Sequence, residues 1–235
     1  MEIWAVIYTP NLFNDDVGTL IGRLLVRVLL KGKGISVDEM KFATTPEGKP
    51  YIKSQTNPPL AYNITHDNNL VAMAFAPGII NQPAYNVGID VMKVRIPGRE
   101  TFDSFVHTVG DQLTTLEHVQ LKAVIPETEK LKRFFWMWTL KEAYTKALGI
   151  GLGFDFRRIE FDVVARRICV DGKEPEGWQF NMFNVQDGED LYQCVVAEYV
   201  GDTKTEVTYN VHNPEWFKVY GAVQFTEMAV GLLKT

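Results

Sequence analysis

The sequence predicts an α+β fold in two halves. In the first half, strand-like segments lie largely next to one another around a single helix, and in the second half a run of helices precedes a meander of strands. This separation of helices from strands is typical of α+β proteins. A Pro-Gly segment at residues 96–98 divides the halves, so we expect one half over residues 1–97 and another over 98–200. Residues 201–235 have no clear role, but their aromatic residues indicate that they pack on the rest of the protein.

The first half is expected to contain one helix and several strands. An apolar stripe predicts a helix over residues 15–30, with capping candidates at residues 14–16 and glycines that end it; the stripe is Leu20, Leu24, Leu25 and Val28, and the glycines are Gly32 and Gly34. β-Branched and aromatic residues predict strands over residues 2–8, 41–43, 51–52, 60–64, 70–76 and 86–91. The polar segments 45–50 and 65–69 are expected to be turns.

The second half is expected to begin with three helices, at residues 101–109, 114–123 and 129–148. Pro126 separates the last two, and Gly149 is in position to cap the end of the third. Four strands are predicted after it, at residues 159–164, 168–170, 179–183 and 192–199.

Composition excludes several classes of protein. The 235 residues are 46% hydrophobic and 23% charged, with a net charge of −5. No block of basic residues predicts nucleic-acid binding, and two cysteines are too few for a disulfide framework. No signal peptide is evident, and the most apolar helix is short and interrupted by Arg23 and Arg27, so no membrane span is expected. These features favour a reducing, cytosolic setting.

The third helix of the second half carries the strongest chemical pattern. Trp138, Glu142 and Lys146 are spaced by four and share one face. Glu142 and Lys146 could be an ordinary surface ion pair. However, residues 134–138 are apolar on all sides, which indicates a buried helix and a charged pair that lines a cleft.

A second carboxylate, Asp90, ends an apolar strand about 50 residues earlier. It could simply cap the next turn. If it meets Glu142 where the two halves join, the two carboxylates form an oxygen site suited to Mg²⁺, which leaves coordination positions for substrate phosphates.

Three further residues are candidate phosphate ligands, each with an ordinary alternative. His66 could be a hydrogen-bonded turn residue, Lys49 could lie in a solvated Gly-Lys-Pro turn, and Lys141 could be a surface lysine. No nucleophile–histidine set can be argued, and the P-loop, HExxH and paired CxxC motifs are absent from the sequence.

Four motifs, in order and at similar spacing, resemble those of the 4′-phosphopantetheinyl transferases over about residues 15–200. They are Gly48-Lys49-Pro50, Asn63-Ile64-Thr65-His66, Gly88-Ile89-Asp90 and Trp138-x-x-Lys141-Glu142-Ala143-x-x-Lys146. The chain looks most like the larger, pseudo-dimeric group, and within it the eukaryotic members of broad carrier specificity. The resemblance implies two similar α+β subdomains with the active site between them, in a protein that needs only a monomer.

The resemblance also implies a reaction and a set of roles. The phosphopantetheine arm of coenzyme A passes to a serine of an apo acyl carrier protein, such as that of a fatty acid synthase, and adenosine 3′,5′-bisphosphate leaves. Asp90 and Glu142 would hold Mg²⁺, Glu142 would also take the serine proton, and Lys146 would hold the pyrophosphate. Coenzyme A would contact Gly48, Lys49, Asn63, Thr65, His66 and, more weakly, Lys141.

The chain departs from the family pattern at several points. Met92 replaces a second acid found in many bacterial members, Thr65 stands where Ser is common, and the segment before the first helix is short. These departures leave two alternatives to an active transferase. One is a degenerate relative that binds coenzyme A or a carrier protein without catalysis, and the other is a different coenzyme A-dependent enzyme such as an acyltransferase.

Overall fold

The computed structural model describes residues 1–9, 17–78, 86–98, 100–150, 153–210 and 215–234. These residues form four layers, in which two four-stranded sheets pack face to face and helices cover the outer face of each sheet. The first elements are helix α1, Val17–Gly32, and strands β1 to β5: Glu2–Ile7, Phe42–Thr44, Pro50–Ile52, Leu60–Asp67 and Leu70–Pro77.

The remaining elements follow the predicted order as far as residue 200. Strand β6 is Val87–Lys93, and helices α2 to α4 are Phe102–Val109, Thr115–Leu121 and Glu127–Leu148. Strands β7 to β12 are Ile159–Asp162, Arg167–Val170, Trp178–Asp187, Asp190–Tyr199, Glu206–Asn210 and Phe217–Gly221, and helix α5 is Ala222–Leu233. None of the helices described here is both long and apolar enough to cross a bilayer.

The two sheets repeat one pattern of strand directions. Their orders are β12-β1-β5-β4 and β11-β9-β10-β6. In each, the first pair is parallel and the next two pairs are antiparallel. Helix α1 covers the first sheet, and α4 covers the second. The predicted α+β fold with two similar subdomains is therefore confirmed, although the repeat is not visible in the residues themselves.

Some predicted details of the first half are wrong or cannot be compared. Leu20, placed in the apolar stripe of α1, is 56% exposed, because the buried face runs instead through Ile21, Leu25, Val28 and Leu29. The capping candidates at residues 14–16 lie outside the described residues. The turn predicted at residues 65–69 shrinks to Asn68 and Asn69, because β4 continues to Asp67 and Asn68 adopts a left-handed φ of 47°.

Strand β6 joins the second sheet, although it precedes the predicted boundary. Its partner in that sheet is β10. The boundary between residues 97 and 98 stays a prediction, but the second sheet draws one strand from before it.

The segment after residue 200 completes both sheets. Strand β11 pairs with β9, and β12 pairs with β1. Helix α5 packs beside α1, with Phe225 and Ala229 buried in the same apolar cluster. The expectation that this segment packs is confirmed, and its architectural role is a finding of the structure.

The two sheets meet where their edge strands β4 and β6 lie side by side. Side chains of β4 satisfy backbone donors of β6: the Ile89 N–H donates to Asn63 Oδ1 at 2.9 Å, and the Lys93 N–H donates to Asp67 Oδ2 at 2.6 Å. Leaving a buried backbone donor unpaired is costly, so these two side chains hold the halves in register.

Helix α4 lies directly against β6 at Gly88. A Cβ atom on this residue would overlap the carbonyl oxygen of Ala143 and the amide nitrogen of Ala147. Both clashes are with backbone, which cannot rotate away as a side chain can. Glycine is therefore required here for steric reasons, and it sets the distance between the helix and the strand.

We predict that Gly88→Ala lowers the free energy of unfolding by roughly 3 kcal/mol or more, because the helix has to move away from the sheet. Urea denaturation measures this change. Gly231→Ala in α5 is a suitable control, since nothing lies within 4 Å of its Cβ position, and it should stabilise the protein by up to about 1 kcal/mol. Equal stability of Gly88→Ala and wild type would contradict the close packing.

Candidate active site

The structure brings Asp90, Glu142 and Lys146 together between the halves. Alternation along β6 directs its residues to opposite faces: Ile89 and Val91 join the core between the sheets, and Asp90 points toward α4. The Lys146 Nζ atom lies 2.6 Å from Asp90 Oδ1. The lysine therefore pairs with the carboxylate of the strand, and the intrahelical pair with Glu142 that the sequence allowed does not form.

Thr65 of β4 completes this arrangement from the first half. Its hydroxyl donates to Asp90 Oδ1 at 3.2 Å and accepts from Lys146 Nζ at 3.1 Å. Thr65 is buried, and the side chain of Lys146 is 31% exposed. The replacement of Ser by Thr keeps the hydroxyl that this contact needs.

Asp90 carries a buried oxygen that has no hydrogen-bond partner in the part of the chain that the structure describes. Burial raises the pKa of this carboxyl, and the Lys146 ammonium and the Thr65 hydroxyl oppose the rise. Within the described residues, Oδ1 receives both hydrogen bonds and Oδ2 receives none. An unpaired buried carboxylate oxygen is unfavourable unless a cation or donor reaches it.

Glu142 supplies a second carboxylate whose charged form is disfavoured by burial. Burial raises its pKa most, the charge of Asp90 raises it further, and Lys146 lowers it. Its carboxylate makes no hydrogen bond or ion pair with the described part of the chain. Two neighbouring carboxylates, one with a buried unpaired oxygen, fit Mg²⁺ bound with water and phosphate as its other ligands. No third His, Cys, Asp or Glu joins them among the described residues.

A cavity of about 250 Å³ opens beside these residues. Its walls come from both halves: the turn between β2 and β3 and strand β4 on one side, and the end of α4 with the residues that follow on the other. The lining residues are Glu47, Gly48, Lys49, Pro50, Asn63, Glu142, Thr145, Lys146, Gly149 and Phe156.

His66 lies on the opposite face of β4 from Thr65. It is exposed, and it sits against the first turn of α1, where a Cβ on Gly18 would be 3.6 Å from the His66 ring. It does not line the cavity. The phosphate role of His66 stays a prediction.

Lys141 requires a correction. It is fully buried, and its ammonium pairs with Glu117 at 2.7 Å. It also donates to the carbonyl oxygens of Gln112 and Phe156, each at 3.1 Å. All three N–H donors are thus used inside the core, and none is available to a phosphate.

Glu117 is the buried partner that the sequence reasoning missed. It accepts from the Phe161 N–H at 2.9 Å, and it forms the capping box of α3 with Thr114. The Thr-x-x-Glu spacing is a recognisable capping signal. It could have marked Glu117 as a fixed residue, but not as the partner of Lys141.

A second cavity, of about 420 Å³, is lined by residues of β6 and α4 that lie close in sequence to the two carboxylates. Met92 follows Asp90 by two residues, and Trp138 precedes Glu142 by one helical turn, so the two cavities flank the carboxylates. Aromatic residues form much of its wall, and exposed Arg95 contributes positive charge. Lys93 also lines it, but its ammonium pairs with Asp190 at 2.5 Å.

Comparison with known proteins identifies the family. Residues 86–197 match the 4′-phosphopantetheinyl transferase superfamily, and residues 9–78 match the 4′-phosphopantetheinyl transferase N-terminal family. The 4′-phosphopantetheinyl transferase pptA of Paxillus involutus is 45% identical over 88% of this chain and 91% of its own length. The chain belongs to the 4′-phosphopantetheinyl transferase superfamily. It is therefore an enzyme of the transferase class.

Mammalian relatives of this transferase are more distant. The L-aminoadipate-semialdehyde dehydrogenase-phosphopantetheinyl transferases of Rattus norvegicus and Homo sapiens are 33% and 29% identical over 71% and 74% of the chain. The chain spans 57% and 59% of their lengths. These names favour the enzyme over the degenerate binding protein considered above.

We predict that Glu142→Gln stabilises the metal-free protein by roughly 1 kcal/mol. A carboxyl whose pKa is raised by folding binds more protons in the folded state, so stability falls as pH rises through that window. The gain should therefore be larger at about pH 8 than at about pH 4. Thermal unfolding in chelator-containing buffer measures it, with Glu227→Gln on the exposed face of α5 as control. An equal gain at both pH values would argue against strain at Glu142.

Proposed function

We propose that this transferase moves the phosphopantetheine arm of coenzyme A to a serine hydroxyl of an apo carrier protein, with Mg²⁺ held by Asp90 and Glu142. The observation that carries the proposal is the meeting of Asp90 with Glu142 and Lys146 beside the cavity, with Asp90 Oδ2 buried and unpaired within the described residues. When bound, the metal would supply positive charge that offsets the charge developing on the phosphoryl oxygens.

The chemistry is a phosphoryl transfer in which positioning and electrostatics matter most. The serine oxygen attacks the phosphorus that carries the pantetheine arm, and the bond from that phosphorus to the bridging oxygen breaks. Adenosine 3′,5′-bisphosphate leaves with the bonding electrons. Glu142 takes the serine proton, directly or through water. Burial raises the pKa of this carboxyl toward neutral pH, so Glu142 is a better base than an ordinary glutamate.

Lys146 holds the pyrophosphate. Asp90 and Thr65 use two of its three N–H donors, and its partial exposure leaves the third for an oxygen of the substrate. Thr65 keeps both Asp90 and Lys146 in place. The Gly48 turn and Asn63 line the cavity for coenzyme A, and exposed His66 contacts its 3′-phosphate.

Intact mass of an apo carrier protein tests this function. Incubation with coenzyme A and Mg²⁺ should add one phosphopantetheine group, and EDTA should prevent the addition. Asp90→Ala and Glu142→Ala should each lower the rate by at least about 100-fold, because each removes a carboxylate of the metal site. A Lys53→Met control, altered on an exposed loop, should keep the wild-type rate.

Two results would count against the proposal. Near wild-type rates for either alanine variant in excess Mg²⁺ would exclude the paired-carboxylate site. In a parallel incubation with acetyl-coenzyme A, a mass gain of the acetyl group alone, with no phosphopantetheine added, would favour the acyltransferase alternative.

The second cavity suits the carrier protein. Coenzyme A and the carrier must reach the same phosphorus from different sides, and the two cavities flank the carboxylates. Arg95 is exposed there, so a carrier that docks here presents an acidic surface to it. A fatty acid synthase is one source of such a carrier.

We predict that Arg95→Glu raises the KM for the carrier by about tenfold, because it reverses charge at the rim of this cavity, and leaves the KM for coenzyme A unchanged. Steady-state kinetics with each substrate varied in turn measure both constants. Arg23→Glu, on the exposed face of α1, is the matched control. An unchanged carrier KM would place docking elsewhere.

Cytosolic location and monomeric action complete the proposal. Both described cysteines, Cys169 and Cys194, are free thiols, which suits a reducing compartment. One chain supplies both walls of the cavity, so a second copy is not needed to form it.

A further inference from the structure

Lys49 is a buried lysine whose ammonium faces the protein interior. It lies in the turn between β2 and β3 and is only 6% exposed. Its Nζ atom donates to the carbonyl oxygen of Ala147 at 2.6 Å and to that of Val87 at 3.0 Å, and both bonds are buried. One side chain from the first subdomain thus joins two elements that carry the catalytic groups.

The two carbonyl groups belong to residues close in sequence to Asp90 and Lys146. Ala147 follows Lys146 in the last turn of α4, where carbonyls have no partner within the helix. A cation there also interacts favourably with the helix dipole. Val87 begins β6, three residues before Asp90. The ammonium therefore holds the end of the helix against the beginning of the strand, close in sequence to both Lys146 and Asp90.

Gly149 accommodates the stem of this lysine. It caps α4 with a left-handed φ of 70°, and a Cβ on it would lie 2.9 Å from Lys49 Cδ. The stem therefore crosses directly over the helix end, and burial lowers the pKa of the Lys49 ammonium to about 8. A lysine that bound phosphate would keep its ammonium in the open cavity, with water at its other donors.

We propose that Lys49 is a positioning residue, which fixes the end of α4 against β6 so that Lys146 and Asp90 stay aligned, and that its side chain does not bind a phosphate of coenzyme A. This inference rests on the proposed function and changes the role that the Gly-Lys-Pro motif suggested for this residue. The neighbouring Gly48 turn still lines the cavity, so the motif contributes its backbone to the cleft and its lysine to the scaffold.

Kinetics with coenzyme A and 3′-dephospho-coenzyme A test this role in Lys49→Met. Loss of alignment should lower kcat/KM for both substrates by the same factor, roughly 10- to 100-fold, mainly through kcat. The ratio between the two substrates should stay at its wild-type value. Lys53→Met, the same change at an exposed neighbour, should leave both substrates unaffected, and His66→Ala should reduce the preference for coenzyme A.

Either of two kinetic results would overturn the proposal. If Lys49→Met slows the reaction with coenzyme A alone and thereby loses the preference for the 3′-phosphate, the lysine is a phosphate ligand. If Lys49→Met reacts with both substrates at wild-type rates, the hydrogen bonds of Lys49 to Ala147 and Val87 have no role in positioning.

Lysine labelling of the wild-type protein gives a readout that does not depend on the variant folding or on turnover. With an amine-reactive acetylating reagent, Lys49 should remain almost unlabelled both with and without coenzyme A, whereas coenzyme A should protect Lys146. Labelling of Lys49 that coenzyme A suppresses would overturn the proposal. Absence of phosphopantetheine transfer by wild type would contradict the proposed function, and the labelling pattern would still show where the Lys49 ammonium points.

Discussion

The packing of α4 against the bare backbone of Gly88 determines the geometry of this enzyme. Because no side chain separates the helix from β6, the residue two positions further, Asp90, reaches Lys146 directly. Glu142 lies one turn before Lys146 on the same face, close enough for the charge of Asp90 to raise its pKa. Neither the strand nor the helix alone would create this site. It exists because a glycine lets two rigid elements approach closely, and rigid elements hold catalytic groups more accurately than loops do.

The contact between α4 and β6 also places charged groups where burial disfavours their charge. Two carboxylates with raised pKa values share a small buried region with one partly exposed lysine, and an oxygen of Asp90 has no hydrogen-bond partner within the described residues. The apolar layers on either side hold these groups in place at some cost in stability. Such strain is common where a protein binds a charged substrate, because the ligand relieves it on binding. The Lys141–Glu117 pair shows the contrast, since every donor of its ammonium is matched.

Local pattern predicted most of the elements and left their long-range partners open. The apolar runs indicated α4 and the strands, and the motif spacing indicated which residues belong to the site. It could not distinguish Lys141, which turns into the core, from Lys146, which faces the cavity, because both lie on one helix and their roles depend on what packs against each face. The inward direction of Lys49 was equally hidden, since its partners are backbone carbonyls about 40 and 100 residues away. The pairing of β6 with β10, and the places of β11 and β12, depend on contacts between distant residues that no local pattern records.

The long-range pairing of β12 has a consequence for how this protein folds while it is being made. Strands β11 and β12 occupy equivalent outer positions and pair in parallel with β9 and β1, respectively. Strand β9 lies only about 27 residues before β11, whereas β1 lies about 214 residues before β12. While the chain is still on the ribosome, the edge of β1 that pairs with β12 stays uncovered until β12 is made, some 210 residues later. The first sheet can be completed only after β12 has been synthesised. An unpaired strand edge on a nascent chain invites association with other chains. We therefore expect the uncovered edge of β1 to be a site of such association until β12 has been made.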